Sequence, residues 1–218
     1  MTAVTRHQSE SSAGNRVAEA ILSFVGRVPK TSELPSDDPA AKARRIARAA
    51  SRKSAMTAGG LALPPGPLGW LTVLPELLAV WKIQTQMVAD IAGVYGAKAE
   101  LTREQMLYCL FRHTAAQAVR DLVVRAGERF LVRKATSHAF QAAARKVGVT
   151  ITRHAVGKGV SRWLPVVGAV GVGAYAYFDT GKVAKTAMEM FQRGVEIEVE
   201  GVATIVGPPA ERKPGGSR

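Results

Sequence analysis

The chain has 218 residues, of which 47% are hydrophobic, with a formal net charge of +13 and a sequence pI near 10.4. That length supports one domain with a real core or at most two small ones. The surplus of Lys and Arg points to an anionic partner (nucleic acid, anionic lipid headgroups or an acidic protein), unless it serves only solubility. A single cysteine, Cys109, excludes an internal disulfide. Set among Leu107, Leu110 and Phe111 in a helical pattern, it reads as a buried inert thiol rather than a nucleophile.

The opening residues, Met1 to Glu10, lack the apolar core of a secretory signal, and no lipidation box follows Met1. The expected location is therefore cytoplasmic. Residues 1–13 are polar and expected to be disordered. Asn15 to Val28 is a short amphipathic helix candidate, and Pro29 to Asp38 reads as a linker. Asp38-Pro39 then makes a good helix start, with Asp as N-cap and Pro in the first helical position. The helix from Pro39 to about Thr57 is alanine-rich and basic. Its Lys42, Arg44, Arg45, Arg48, Arg52 and Lys53 are the expected contacts to an anionic surface.

Between Lys53 and Glu76 there is no charged residue. A membrane span needs ~20 apolar residues in one helix, but Pro64, Pro65 and Pro67 with Gly66 and Gly69 forbid a single regular helix. The segment is expected to be an apolar bend between two helices. Leu61, Leu63, Leu68, Trp70 and Leu71 are too apolar to stand in water as one patch, and with Trp163 they are the candidate contacts to lipid or a partner.

Pro75 is expected to open a helix that runs to Tyr95 and stops at Gly96, a C′ glycine. Lys82, Gln86 and Asp90 form a polar stripe along it: either a solvated face or a buried network packed on the later glycine-rich helix. Thr102 with Gln105 reads as a capping box for a helix to about Ala126, with a break at Gly127 and a basic helix over 128–147. Val149 to Ser161 is ambiguous between loop and frayed helix.

A second uncharged stretch, Trp163 to Phe178, opens with Pro165 and is too short to cross a hydrocarbon core of ~30 Å. Its Gly168, Gly171 and Gly173 suit a helix packed very close to a neighbour. Asp179-Thr180-Gly181 is read as punctuation before helix Lys182 to Arg193. Val195 to Glu200 alternates apolar and acidic residues, the period of a short strand, and the tail from Pro208 is expected to be disordered.

These elements predict an all-α fold, since strands and helices do not alternate. A polar segment with a short helix and linker spans 1–38, a single helical domain 39–193 and a tail 194–218. Within the domain the two Pro/Gly-interrupted apolar segments are expected to pack together. Ala58 to Trp70, the helix ending Gln84-Thr-Gln-Met-Val-Ala-Asp-Ile-Ala-Gly-Val-Tyr-Gly96, and Leu164 to Gly173 together resemble the EcsC family, over roughly Pro39 to Arg193. That family takes its name from a protein encoded beside an ABC transporter. The resemblance implies a helical, membrane-associated protein without an established enzymatic activity, and a membrane or transporter-associated protein as a second class of partner.

Sites of chemistry are weak in this sequence. His7, His113, His138 and His154 form no pair at i, i+3 or i+4, so no local metal site is expected. Gly181-Lys182 is followed by Val183, not Ser or Thr, and Gly168 to Gly173 reverses the dinucleotide fingerprint; neither argues for a nucleotide, and no cofactor is expected. Basic helices without interleaved aromatics or a known motif argue against nucleic acid. The expectation is a non-enzymatic protein held peripherally on the cytoplasmic face of an anionic membrane. The alternative is a soluble helical module that binds a partner protein through the same apolar segments, and an enzyme built around Asp90 is a third reading.

Overall fold

A computed structural model describes residues 18–24, 27–61, 69–97, 101–119, 123–126, 129–133, 137–157, 165–199 and 202–206. The expectations for residues 1–13, Leu63, Leu68, Trp163 and the tail from Pro208 lie outside these residues. Trp70, Leu71 and Gly168 sit on described helix backbone, with their surroundings outside the description. In chain order the elements are α1 (residues 18–24), α2 (Pro39–Leu61), α3 (Gly69–Val94), α4 (Arg103–Val119), β1 (Val123–Ala126), β2 (Arg129–Arg133), α5 (Ser137–Gly157), α6 (Pro165–Arg193), β3 (Val195–Val199) and β4 (Val202–Val206).

The body of the molecule is all-α, as the periodicity predicts, and the helix ends form where the caps place them. Asp38 Oδ1 accepts from Ala41 N at 2.9 Å and starts α2. Thr102 and Gln105 bond reciprocally, at 2.9 and 3.3 Å, and start α4. Gly96 has φ +80°, and Gly96 N and Ala97 N donate to the carbonyls of Gly93 and Ala92, a Schellman closure of α3. Helix α3 begins earlier than predicted, at Gly69, and carries Pro75 inside it. Pro75 lacks the N–H that would bond the Leu71 carbonyl, a loss the helix bears within two turns of its start. Helix α6 is likewise unbroken from Pro165 to Arg193. Asp179-Thr180-Gly181 does not interrupt it, because Asp179 spends its hydrogen-bonding capacity on other helices rather than on its own backbone.

The expected helices to Ala126 and over 128–147 do not form as read. Helix α4 stops at Val119, with a kink at Ala115 (φ −139°, ψ 45°). Val123 to Arg133 supplies two strands, and α5 starts only at Ser137, running on to Gly157 through part of the ambiguous stretch. Val123, Val124, Phe130 and Val132 are β-formers, and their pairing is completed from far along the chain. The sheet is four-stranded in the order β1-β2-β3-β4, with β2 and β3 parallel and the flanking pairs antiparallel. The short strand read at Val195 thus forms, as an inner strand of this small sheet.

The main core joins α3, α4 and α6. Met87, Val88 and Ile91 meet Met106, Leu107 and Phe111, with Val183, Ala187 and Met190 completing it. Trp81 packs edge-on to Phe111 with ring centroids 5.3 Å apart, so this tryptophan is a core residue. Cys109 is fully buried, as its apolar neighbours imply. Ile21 is also fully buried, so α1 is held by the core; burying such a side chain stabilises by about 1.5–3 kcal/mol.

Helices α2 and α6 pack unusually close. The buried face of α2 is Ala43, Ala47, Ser51, Ser54 and Ala58, and that of α6 includes Ala169, Ala176, Thr180, Ala184 and Ala187. A Cβ added at Gly59 would lie 3.2 Å from the Ala169 oxygen, and one at Gly173 only 2.9 Å from the Ala55 oxygen. Moving forward from Ala55 to Gly59 on α2 moves backward from Gly173 to Ala169 on α6, so the two helices run antiparallel. The expected close contact at Gly173 is therefore made against the basic helix. Gly171 is a correction: a Cβ there meets nothing within 4 Å, because its position on the turn points away from α2.

Candidate functional site: exposed apolar and basic residues on a helix pair, and a polar cluster between helices

The antiparallel pairing of α2 and α6 has a consequence for surface chemistry. It sets the start of the first uncharged segment, Ala55 to Gly59, against Ala169 to Gly173 in the first half of the second. Among the described residues, the large apolar side chains standing in solvent are Leu34, Met56, Leu61, Val170, Tyr175, Tyr177 and Phe178. Met56, Leu61 and Val170 lie at the end of the helix pair where α2 stops and α6 starts, and Tyr175, Tyr177 and Phe178 lie farther along α6. Met56 is 78% exposed and Phe178 66%, although ordinary burial would hide both. Val170, Ala174, Tyr177, Phe178 and Gly181 follow the i, i+4, i+7, i+8, i+11 spacing of one helix face and are all exposed.

Basic residues run back along α2 from this end: Arg52 and Lys53 stand within a turn or so of Met56, whereas Arg44 and Arg45 lie about 25 Å from Leu61 at ~1.5 Å per residue. Arg44, Arg45, Arg48, Arg52 and Lys53 are all exposed on α2, opposite its buried Ala/Ser face, and Lys182 and Lys185 are exposed on α6. Lys42 is partly covered and pairs with Glu33 at 2.7 Å.

The polar stripe on α3 divides. Lys82 is exposed. Gln86 and Asp90 hold the linker rather than the glycine-rich helix: Thr31 Oγ1 donates to Asp90 Oδ1 at 2.6 Å, and Gln86 Nε2 donates to the Lys30 carbonyl at 3.1 Å and to Asp90 at 2.9 Å. Ser36 N adds a bond to the Val94 carbonyl at 3.1 Å. The linker is thus a strap along α3.

A second cluster, missed by the sequence reading, lies between α3, α4 and α6. Asp179 Oδ1 is 2.6 Å from His113 Nε2, and its Oδ2 accepts from Gln84 Nε2 at 2.8 Å. Gln84 Nε2 also reaches Thr180 Oγ1 at 3.2 Å, and the Tyr175 hydroxyl bonds Asp179. His113 and Asp179 are 13% and 15% exposed. Burial, and then the charge of Asp179, push the Tyr175 hydroxyl above its ordinary pKa, so it stays a donor to the carboxylate. His113, Tyr175 and Asp179, with Thr114, line a pocket of about 90 Å³ whose other walls are apolar, among them Leu77, Val80, Phe111, Val172 and Ala176. One signal was available in the sequence: Gln84 is four residues from Val80 and Val88, on the core side of α3, where a polar side chain needs a partner.

Among the described residues no helix is long and apolar enough to cross a membrane, and no group of three or more His, Cys, Asp or Glu gathers as a metal site. No curated protein and no solved structure matches the chain. The model of the EcsC protein family matches residues 27–194, from the strap on α3 to the end of α6. The glycine contact of α2 on α6 and the Gln84–Asp179 bond both lie within that match, and the chain belongs to the EcsC family.

Proposed function

We propose that this protein is a non-enzymatic attachment protein that sits peripherally on the cytoplasmic face of an anionic membrane, apolar end inward. The observation that carries this reading is that Met56, Leu61 and Val170 stand in solvent at one end of the α2–α6 pair, that Tyr177 and Phe178 are exposed farther along α6, and that exposed arginine and lysine run along α2. The exposed apolar side chains supply a salt-insensitive term by leaving water, and the basic residues along α2 supply a salt-sensitive attraction to anionic headgroups. Each Lys or Arg near such a surface contributes about 1 kcal/mol, so a row of exposed basic residues matters at low salt.

Co-sedimentation with phosphatidylcholine vesicles, with and without phosphatidylglycerol, tests the reading. Binding is expected with the anionic vesicles and should weaken as salt rises. The Arg44→Gln, Arg45→Gln, Arg48→Gln, Arg52→Gln combination should weaken it further. Phe178→Asp, on an exposed side chain, should reduce binding with helix content unchanged. Equal binding to neutral and anionic vesicles at low salt would remove the electrostatic part. Failure to bind either would leave the same apolar end as a docking face for a protein, such as a transporter subunit.

A further inference from the structure

Helix α2 carries Lys42, Arg44, Arg45, Arg48, Arg52 and Lys53 and no acidic residue. Lys42 has its partner in Glu33. Arg44, Arg45, Arg48 and Arg52 are exposed, and none of them ion-pairs with a described residue. Arg48 Nε donates to the Arg44 carbonyl at 3.3 Å, which lays that side chain along the helix and leaves its outer nitrogens for another acceptor. Arg44 and Arg48, and Arg48 and Arg52, stand at i, i+4, and Arg45 and Arg48 at i, i+3. Neighbours at these spacings have Cβ atoms ~5–6 Å apart, and like charges there destabilise a helix. The row opposes the helix that bears it, and an anion shared between two guanidiniums relieves that repulsion.

Residue type and position narrow the anion. All four side chains are arginine, although lysine would give the same charge. A guanidinium presents a planar fork that takes two oxygens of one phosphate, which an ammonium cannot do. A phosphodiester has two free oxygens and is satisfied by one fork. A phosphomonoester has three and a larger charge, so it serves two neighbouring forks. Arg45, Arg48, Arg52 and Met56 follow the i, i+3, i+7, i+11 spacing of one face, and all are exposed. A surface that meets these arginines therefore meets an apolar side chain that is 78% exposed, which suits a lipid headgroup layer rather than a free phosphate. We propose, resting on the attachment to an anionic membrane given above, that the arginine row of α2 recognises phosphomonoester lipid headgroups, each phosphate shared by neighbouring guanidiniums.

Vesicles of phosphatidylcholine with either phosphatidic acid or phosphatidylglycerol, adjusted to the same zeta potential, separate phosphate recognition from charge. Full-length protein should bind the phosphatidic acid vesicles about tenfold more tightly, the worth of one added charge-assisted hydrogen bond. The Arg44→Lys, Arg45→Lys, Arg48→Lys, Arg52→Lys combination keeps the charge and a similar helix propensity. It should bind both kinds of vesicle alike, with the affinity of the unaltered protein for phosphatidylglycerol and unchanged helix content by circular dichroism. Equal binding of the unaltered protein to the two vesicles, or a preference undiminished in the lysine combination, would overturn the proposal and leave attachment to an anionic membrane standing. Binding to neither would overturn both.

Discussion

A side chain at Gly173 has nowhere to go, since its Cβ would stand 2.9 Å from the backbone oxygen of Ala55. Gly171, two residues earlier, has open space. Gly173→Ala should therefore destabilise by about 1–3 kcal/mol, the usual cost of overpacking. Gly171→Ala should stabilise by about 0.5–1 kcal/mol, because alanine loses less backbone freedom in a helix. Urea unfolding of the two variants checks both signs, and equal small effects would count against the close approach of α2 and α6. Glycine spacing revealed that a close contact exists on α6, whereas only the facing helix decides which glycine makes it. The same holds at Asp179: its neighbours Thr180 and Gly181 suggest a turn, and its distant partners His113 and Gln84 make it part of a continuous helix instead.

The strap from Lys30 to Ser36 is the element whose role changes most between sequence and structure. Its composition is that of a linker, yet Asp90, Gln86 and the Val94 carbonyl bind it along α3, and a Cβ at Gly93 would lie 2.9 Å from the Glu33 oxygen. Asp90→Ala removes an acceptor whose charged hydrogen bonds are worth about 1.5–3 kcal/mol each. Cleavage by trypsin at Arg27 and Lys30 should then be several-fold faster, with the melting transition of the helical core shifted far less. An unchanged cleavage rate would show that the strap is held by other contacts. The hairpin β1–β2 escaped the sequence reading for a related reason. Its short runs of apolar residues suit helix or strand alike, and the choice falls to a parallel pairing with β3, more than sixty residues away.

For the molecule as a whole, buried weak acids set the response to alkali. Burial pushes the Cys109 thiol up to about 12, and burial is also the main cause that raises Tyr95 and Tyr108. Above the ordinary thiol value of 9.0 the unfolded chain releases protons that the native state keeps. The native state then binds more protons than the unfolded one, so stability is full below about pH 9 and falls as pH rises toward 12. The urea midpoint should drop steadily over that window, and Cys109→Ala should flatten the drop. A midpoint constant from pH 8 to pH 11 would contradict the burial of these groups. Native Cys109 should also resist thiol reagents at neutral pH and react fully in denaturant.

Sequence by itself determined the helical body, the caps at Asp38, Thr102 and Gly96, the inert cysteine, the strong basic charge and the two uncharged segments, because each rests on local spacing or composition. Tertiary structure alone decided what those pieces do together. Antiparallel packing of α2 on α6 sets Ala55 to Gly59, at the start of one uncharged segment, against Ala169 to Gly173 in the other, a juxtaposition of residues more than a hundred positions apart. Packing of α3 and α4 on α6 likewise joins Gln84, His113 and Asp179 from three helices, a cluster that no spacing within any single helix announces.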